Sequence, residues 1–397
     1  MKSHSIERAL YLKSLLDSVY YGASSPFIPI YAVHLGATIL QISFLFALSN
    51  FTLNLSQILW GYLSDKFRKR ILFIILGNII SSMLFIPILL TNSPEIFIVL
   101  VIAQSIANSM TIPTFIAYST EVVDEKKWRR FSSRVNSLTY IGWVMATLTV
   151  GLSSHIGFNG FEVGFKLALF CGLMSGLIIA LYCGREQRKV QKINNYKHSL
   201  ILLGVKKNNG FIHFIFISSS FCVFMSLAWP LFTITQTEIA SLSLFEISLL
   251  DAVSGISGAL SLSILERWLC RVSLWRLLTF SSTSLTLLPL FYALTPEFSI
   301  LFLIHLTTGI SSALYDSSIL SYIMENTPIE EKGFYTALYN FSTGSAFLVG
   351  PFVGGLLLEH LTSILPLAEA IVYVYIISAA GRLLTGLLYL TFKHNTF

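Results

Sequence analysis

The chain has 397 residues, 54% of them hydrophobic and 12% charged, with a mean hydropathy of +0.72 and a formal net charge of +6. A charged fraction about half the usual ~25% excludes an ordinary soluble globular domain. Four cysteines (Cys171, Cys183, Cys222, Cys270) lie far apart with no C-x-x-C spacing, so they read as small apolar residues, neither disulfides nor metal ligands.

Apolar runs of membrane-spanning length recur along the chain, near 10–33, 42–63, 71–91, 95–117, 132–153, 163–184, 211–235, 245–265, 273–294, 297–323, 334–358 and 366–391. About 20 residues at ~1.5 Å rise each cross the ~30 Å hydrocarbon core. Backbone polar groups there must be satisfied within the segment, so each run is expected to be a helix. The first run lacks a small-residue cleavage site after a short apolar core, so it is expected to remain as the first of twelve transmembrane helices.

Charge then fixes the expected topology. With both termini on one side, that side holds 24 of the 26 basic residues; Lys166 lies opposite and Arg382 within the last span. The positive-inside rule places both termini in the cytoplasm. The basic balance is thus a membrane signal rather than a nucleic-acid face. The longest polar stretch, 185–210, is read as a basic cytoplasmic linker between bundles at 1–184 and 211–397.

The two halves repeat at an offset of about 203 residues. Pro26 falls on Pro230, Pro87 on Pro289, Pro94 and Glu95 on Pro296 and Glu297, and Arg129 and Phe131 on Lys332 and Phe334. The segment GYLSDKFRKR (Gly61 to Arg70) falls on LSILERWLCR, so Asp65 and Lys66 meet Glu266 and Arg267. Basic residues alone would be topology signals, but that reading leaves both acids unexplained.

Two parallel six-helix halves with an acid–base loop after the second helix of each resemble the major facilitator superfamily of secondary transporters. The family pattern between helices 2 and 3 is matched by Gly61, Asp65, Lys66, Lys69 and Arg70, with Arg68 where a second glycine is usual. The resemblance covers the whole chain and implies an all-α membrane protein of twelve helices in two pseudo-symmetric bundles. It implies no enzyme, no cofactor, alternating access, and an inner gate in which Asp65 meets the start of span 11, with Arg129, Glu266, Arg267 and Lys332 as further members. A small-molecule substrate, a coupling proton and the lipid bilayer are the expected partners of a monomer in the cell membrane, possessing no metal site.

Ionisable residues inside spans cost ~2.5–3.5 kcal/mol at a helix centre and need a partner, water or a function. Asp17, Asp251 and Asp316 are the proton-coupling candidates. Asp17 leads, because no base of similar depth is apparent in its half and its twin is Phe221. Asp316 with Arg382 is the candidate structural ion pair. Asn50, Gln104, Asn108, Trp229, His305 and Tyr315 are the cavity candidates, which tilts the substrate toward neutral, cationic or amphipathic solutes.

The run Gly350, Pro351, Gly354 and Gly355 is read as a close helix-packing face. It resembles the antiporter motif of the drug–proton branch, but that motif belongs in helix 5, where only Gly151 stands at the matching place, so it is discounted; export stays among the directions the transporter reading allows, and the sequence does not choose between import and export. Two other classes compete. Gly-Ile-Ser-Gly at 255–258 resembles an intramembrane serine protease motif, with Ser257 as nucleophile and His305 as base. A transporter-like sensor or scaffold is the third reading. No GxxxxGK loop followed by Ser or Thr is present, so ATP is not expected to drive the protein directly.

Overall fold

The computed structural model describes residues 2–123, 127–183, 209–269, 272–327 and 332–394, and every regular element among them is helical. The elements are α1 (Lys2–Ser24), α2 (Phe27–His34), α3 (Ile39–Phe67), α4 (Arg70–Met83), α5 (Phe85–Leu90), α6 (Pro94–Asn108), α7 (Thr111–Val122), α8 (Trp128–His155) and α9 (Gly160–Cys183). Then follow α10 (Asn209–Leu227), α11 (Trp229–Ile234), a π turn (Thr235–Ile239), α12 (Leu244–Leu269), α13 (Leu274–Ser284), α14 (Leu287–Leu294), α15 (Phe298–Asn326), α16 (Lys332–Thr362) and α17 (Leu367–Leu388). The bulk of the predicted linker, 184–208, lies outside the described residues.

Among the described residues, eleven segments are long and apolar enough to cross a membrane. The first helix is not one of the eleven, and Glu7, Arg8, Lys13 and Asp17 all lie on it. The short elements come from proline. A proline lacks the N–H that would bond the carbonyl four residues back, and its ring clashes there. The breaks at Ser25–Pro26, Leu84, Ser109–Met110, Ala228 and Leu285–Thr286 precede Pro29, Pro87, Pro113, Pro230 and Pro289 by one turn or less. Pro351 is the exception, because α16 runs through it unbroken.

Two compact units result. The first is Met1–Lys192 with Leu242–Ala252, the second Ile193–Ser241 with Val253–Phe397. The start of α12 therefore groups with the first half of the chain, which the sequence repeat does not show. The reason is local. A Cβ on Gly151 would meet the Ser248 hydroxyl at 2.5 Å, so only glycine admits that approach, and the His155 and Phe245 rings lie 4.9 Å apart.

Within the first unit α1 is the central helix. A Cβ on Gly22 would lie 2.6 Å from the Trp143 carbonyl of α8, and one on Gly142 would lie 2.8 Å from Ser18 of α1. Small residues at such crossings replace the hydrophobic drive that lipid cannot supply. The core around them gathers Phe27, Phe85, Phe97 and Phe165, all fully buried. In the second unit α16 presses on α10. A Cβ on Gly350 would meet Ser226 at 2.0 Å, and one on Gly354 would meet the Leu227 carbonyl at 2.1 Å. Pro351 and Gly355 are buried beside them.

Candidate functional site

The charged loop between α3 and α4 is built around Arg70. Arg68 caps α3 in the left-handed region (φ 53°, ψ 36°), which turns the chain sharply enough for α4 to begin two residues later. That is the conformation a glycine adopts without cost. Arg70 Nη2 donates to Asp65 Oδ1 at 2.8 Å, and Nη1 pairs with Glu121 in the last turn of α7. The Arg70 and Glu121 side chains are each 16% exposed, whereas Asp65 is 63% exposed. The Lys66 ammonium lies 5.9 Å from the Tyr62 ring, and Lys69 is exposed. A Cβ on Gly61 would touch Pro113 only at an ordinary 3.7 Å. The side chains of Arg129, Glu266, Arg267 and Lys332 lie outside the described residues.

Glu121 was not singled out from sequence. Its signal was available: an acid ending an apolar span at the same end of the bundle as the basic loop.

A cavity of about 330 Å³ opens among α1, α2, α3 and α6, all in the first unit. Its wall brings together Asn50, Gln104 and Asn108 with Tyr20, Tyr21 and Ser49. The other three cavity candidates belong to the second unit and are not among its lining residues. The Trp229 and Phe347 rings pack tilted, with centroids 4.9 Å apart. His305 Nε2 is 2.9 Å from the Tyr292 hydroxyl, and its Nδ1 is 3.4 Å from Ser254 Oγ. Tyr315 is 4% exposed, packed on Phe221 and 3.1 Å from the Tyr389 hydroxyl, so it belongs to the core.

Asp17 has a base at its own depth, contrary to expectation. Lys13, one turn earlier on α1, pairs with its Oδ2. Lys13 is one of the 24 basic residues counted toward the inner side, yet it is only 2% exposed, with its ammonium 4.2 Å from the Phe115 ring. Ser175 of α9 donates to Asp17 Oδ1, and Asn78 of α4 donates to Ser175 Oγ at 2.8 Å. A chamber of about 10 Å³, enough for one water, lies between Asp17 and the Tyr20 and Asn108 side chains that also line the cavity.

Asp251 accepts from the Trp143 indole N–H at 2.9 Å, within the first unit. Asp316 is exposed on α15. The expected Asp316–Arg382 ion pair is not formed. Arg382, 1% exposed, donates instead to the carbonyls of Leu285 at 2.9 Å and Met225 at 2.7 Å. The cause is proline. Leu285 stands four residues before Pro289, so its carbonyl has no helical donor, and Met225 lies in the last turn of α10. A guanidinium with five donors serves both.

The protease arrangement is also not formed. Ser257 donates to the Ser254 carbonyl at 3.1 Å, and it is Ser254 that meets His305.

Long apolar helices broken at prolines, with a cavity among those of the first unit, define a multi-pass membrane protein. The chain belongs to the Major Facilitator Superfamily, whose model matches residues 10–305 and 214–396. No curated protein matches the chain. Among solved structures, the nucleoside transporter NupG is similar at 16% identity, with a TM-score of 0.78, over 98% of this chain and 99% of that one. An auto-inhibited POT family peptide transporter is similar at 12% identity and TM-score 0.78, over 98% and 97%. A bacterial homolog of the human lysosomal transporter Spinster, inward-facing and occupied, is similar at 15% identity and TM-score 0.72, over 98% and 97%. These likenesses are of fold. As a member of this family, the chain is a secondary transporter working by alternating access.

Proposed function

We propose that the chain moves a small neutral, cationic or amphipathic solute through the first-unit cavity, driven by protons, in a cell membrane with both termini in the cytoplasm. The observation that carries this reading is the cavity itself. Its volume is at the lower end of ligand-pocket sizes, and its largely apolar lining carries amides and hydroxyls but no charged side chain. Asp17 stands behind that wall, separated from it by room for one water. A proton reaching Asp17 replaces Lys13 as its charge partner, and the states that differ in proton binding are thereby shifted in population. Asp251, held by Trp143, and Asp316 are the secondary carboxylates. The Asp65–Arg70–Glu121 cluster serves as the inner gate's first-half component.

Reconstitution into liposomes tests the reading. Uptake is measured with and without an imposed pH gradient, for a panel that includes uridine and a dipeptide, since solved proteins of this fold are named for nucleosides and peptides. At least one solute is expected to accumulate only with the gradient, and the sign of the effective gradient gives the direction. Flux indifferent to pH for every transported solute would remove the proton from the scheme.

A further inference from the structure

Most of the hydrogen-bonding capacity left on the cavity wall is acceptor capacity. Asn50 Nδ2 donates to the Phe46 carbonyl at 2.9 Å, and Gln104 Nε2 donates to the Ser81 carbonyl at 3.1 Å. A backbone carbonyl only accepts, so the nitrogen must face it and the orientation of both amides is fixed. Asn108 Nδ2 meets the Tyr20 hydroxyl at 3.0 Å. Two hydroxyls are committed in the same sense. Ser24 donates to the Tyr20 carbonyl at 2.8 Å and Ser105 to the Val101 carbonyl at 3.0 Å. All five residues line the cavity, and each has a donor hydrogen bound to protein while its oxygen lone pairs remain; the two serine hydroxyls have no donor left, and each amide keeps one further N–H. Ser49, on the same wall, has a buried hydroxyl with no partner at all.

Taking this cavity as the substrate cavity, as proposed above, we infer that it is built for an uncharged solute rich in hydroxyl or amino donors, of sugar, polyol or nucleoside type. A wall with many unmet acceptors and a few N–H and O–H donors favours a ligand whose groups both donate and accept, as hydroxyls do, over one that only accepts and leaves the wall's oxygens dry. A ligand with donors regains those bonds. An anion would bring still more acceptors. A cation would be stripped of water in a wall that holds no carboxylate, Asp17 being turned to the separate chamber and to Lys13. The apolar part of the wall (Ile28, Leu45, Val101) leaves one face of the solute to be covered without hydrogen bonds. The discrimination expected of such a pocket is large, because sites built on hydrogen bonds reject analogues that cannot make them far better than apolar pockets reject a methylene.

The test is a thermal shift of the intact protein in lipid nanodiscs, where no gradient or transport is required. Ribose, glucose, myo-inositol and uridine are compared with O-methylated ribose and glucose, with uridine monophosphate, and with tetraphenylphosphonium. At saturating solute, one or more of the four hydroxylated compounds is expected to raise Tm by about 2–4 °C. Its methylated or phosphorylated counterpart is expected to leave Tm unchanged. Asn50→Leu and Gln104→Leu are expected to abolish the shift. Asn54→Leu, on α3 outside the cavity lining, is expected to preserve it. Failure of all four hydroxylated compounds, or a larger shift from tetraphenylphosphonium or a methylated sugar, overturns the inference. Because binding is read without flux, a protein that binds but does not accumulate solute would refute the transport proposal and leave this one standing.

Discussion

Replacing Glu121 by Gln should cost more stability than replacing Asp65 by Asn, although Asp65 is the residue that the sequence motif marks. The structure supplies the magnitudes. Arg70 shares its guanidinium between a carboxylate that is 16% exposed and one that is 63% exposed. A hydrogen bond to a charged group in a shielded place contributes about 1.5–3 kcal/mol, whereas an exposed ion pair contributes about 0–1 kcal/mol. Glu121→Gln is therefore expected to cost about 2 kcal/mol and to lower Tm by roughly 2–4 °C. Asp65→Asn should cost about 0.5 kcal/mol, or roughly 1 °C or less. Scanning fluorimetry in lipid nanodiscs reads both. Raising ionic strength to about 1 M shortens the screening length to ~3 Å, so the small Asp65 effect should vanish while the Glu121 effect persists. An Asp65→Asn loss equal to or larger than that of Glu121→Gln would refute the assignment of Arg70's main anchor to α7.

Three further outcomes follow from local geometry. Arg68→Gly should raise stability by about 1 kcal/mol, because it removes the left-handed penalty at φ 53°, while Arg68→Val should lower it; chemical unfolding of the two variants decides the sign. Gly350→Ala and Gly354→Ala should each lower Tm, by an amount equivalent to about 1–3 kcal/mol, since their Cβ atoms would fall 2.0–2.1 Å from α10, and unaltered melting would show that α16 and α10 do not touch there. Arg382→Leu should destabilise by leaving the Leu285 and Met225 carbonyls unpaired, about 1–3 kcal/mol each, whereas Asp316→Asn should leave Tm unchanged; equal losses would restore the ion pair.

Much of the architecture was legible because it is written in long-range composition. Apolar length marked the eleven segments that are long and apolar enough to cross a membrane, and the proline pairs at an offset of about 203 marked where both halves bend. Gln104 and Asn108 stand one turn apart on α6, a spacing legible in the sequence, whereas Asn50 lies on α3 with Asn54 and Gln57, and only the structure shows that Asn50 alone of those three joins the same wall. What escaped was pairing. Lys13 and Asp17 are four residues apart, yet counting bases toward the terminus hid Lys13 from the membrane interior. Arg382 looked to an acid at similar depth, when its partners were two backbone carbonyls. The Leu285 carbonyl could have been found by asking what each intramembrane proline leaves unbonded four residues earlier. Trp143 with Asp251 had no such signal, since residues 108 apart meet only through the approach that Gly151 permits.

The most direct test of proton-driven transport is Asp17→Asn in proteoliposomes, assayed on one preparation for solute exchange and for uptake under an imposed pH gradient. Asparagine keeps a bond to Ser175 available but cannot carry the charge that Lys13 answers or take up the coupling proton. The account predicts that exchange continues near the wild-type rate while gradient-driven accumulation is lost. Full accumulation by Asp17→Asn would contradict it.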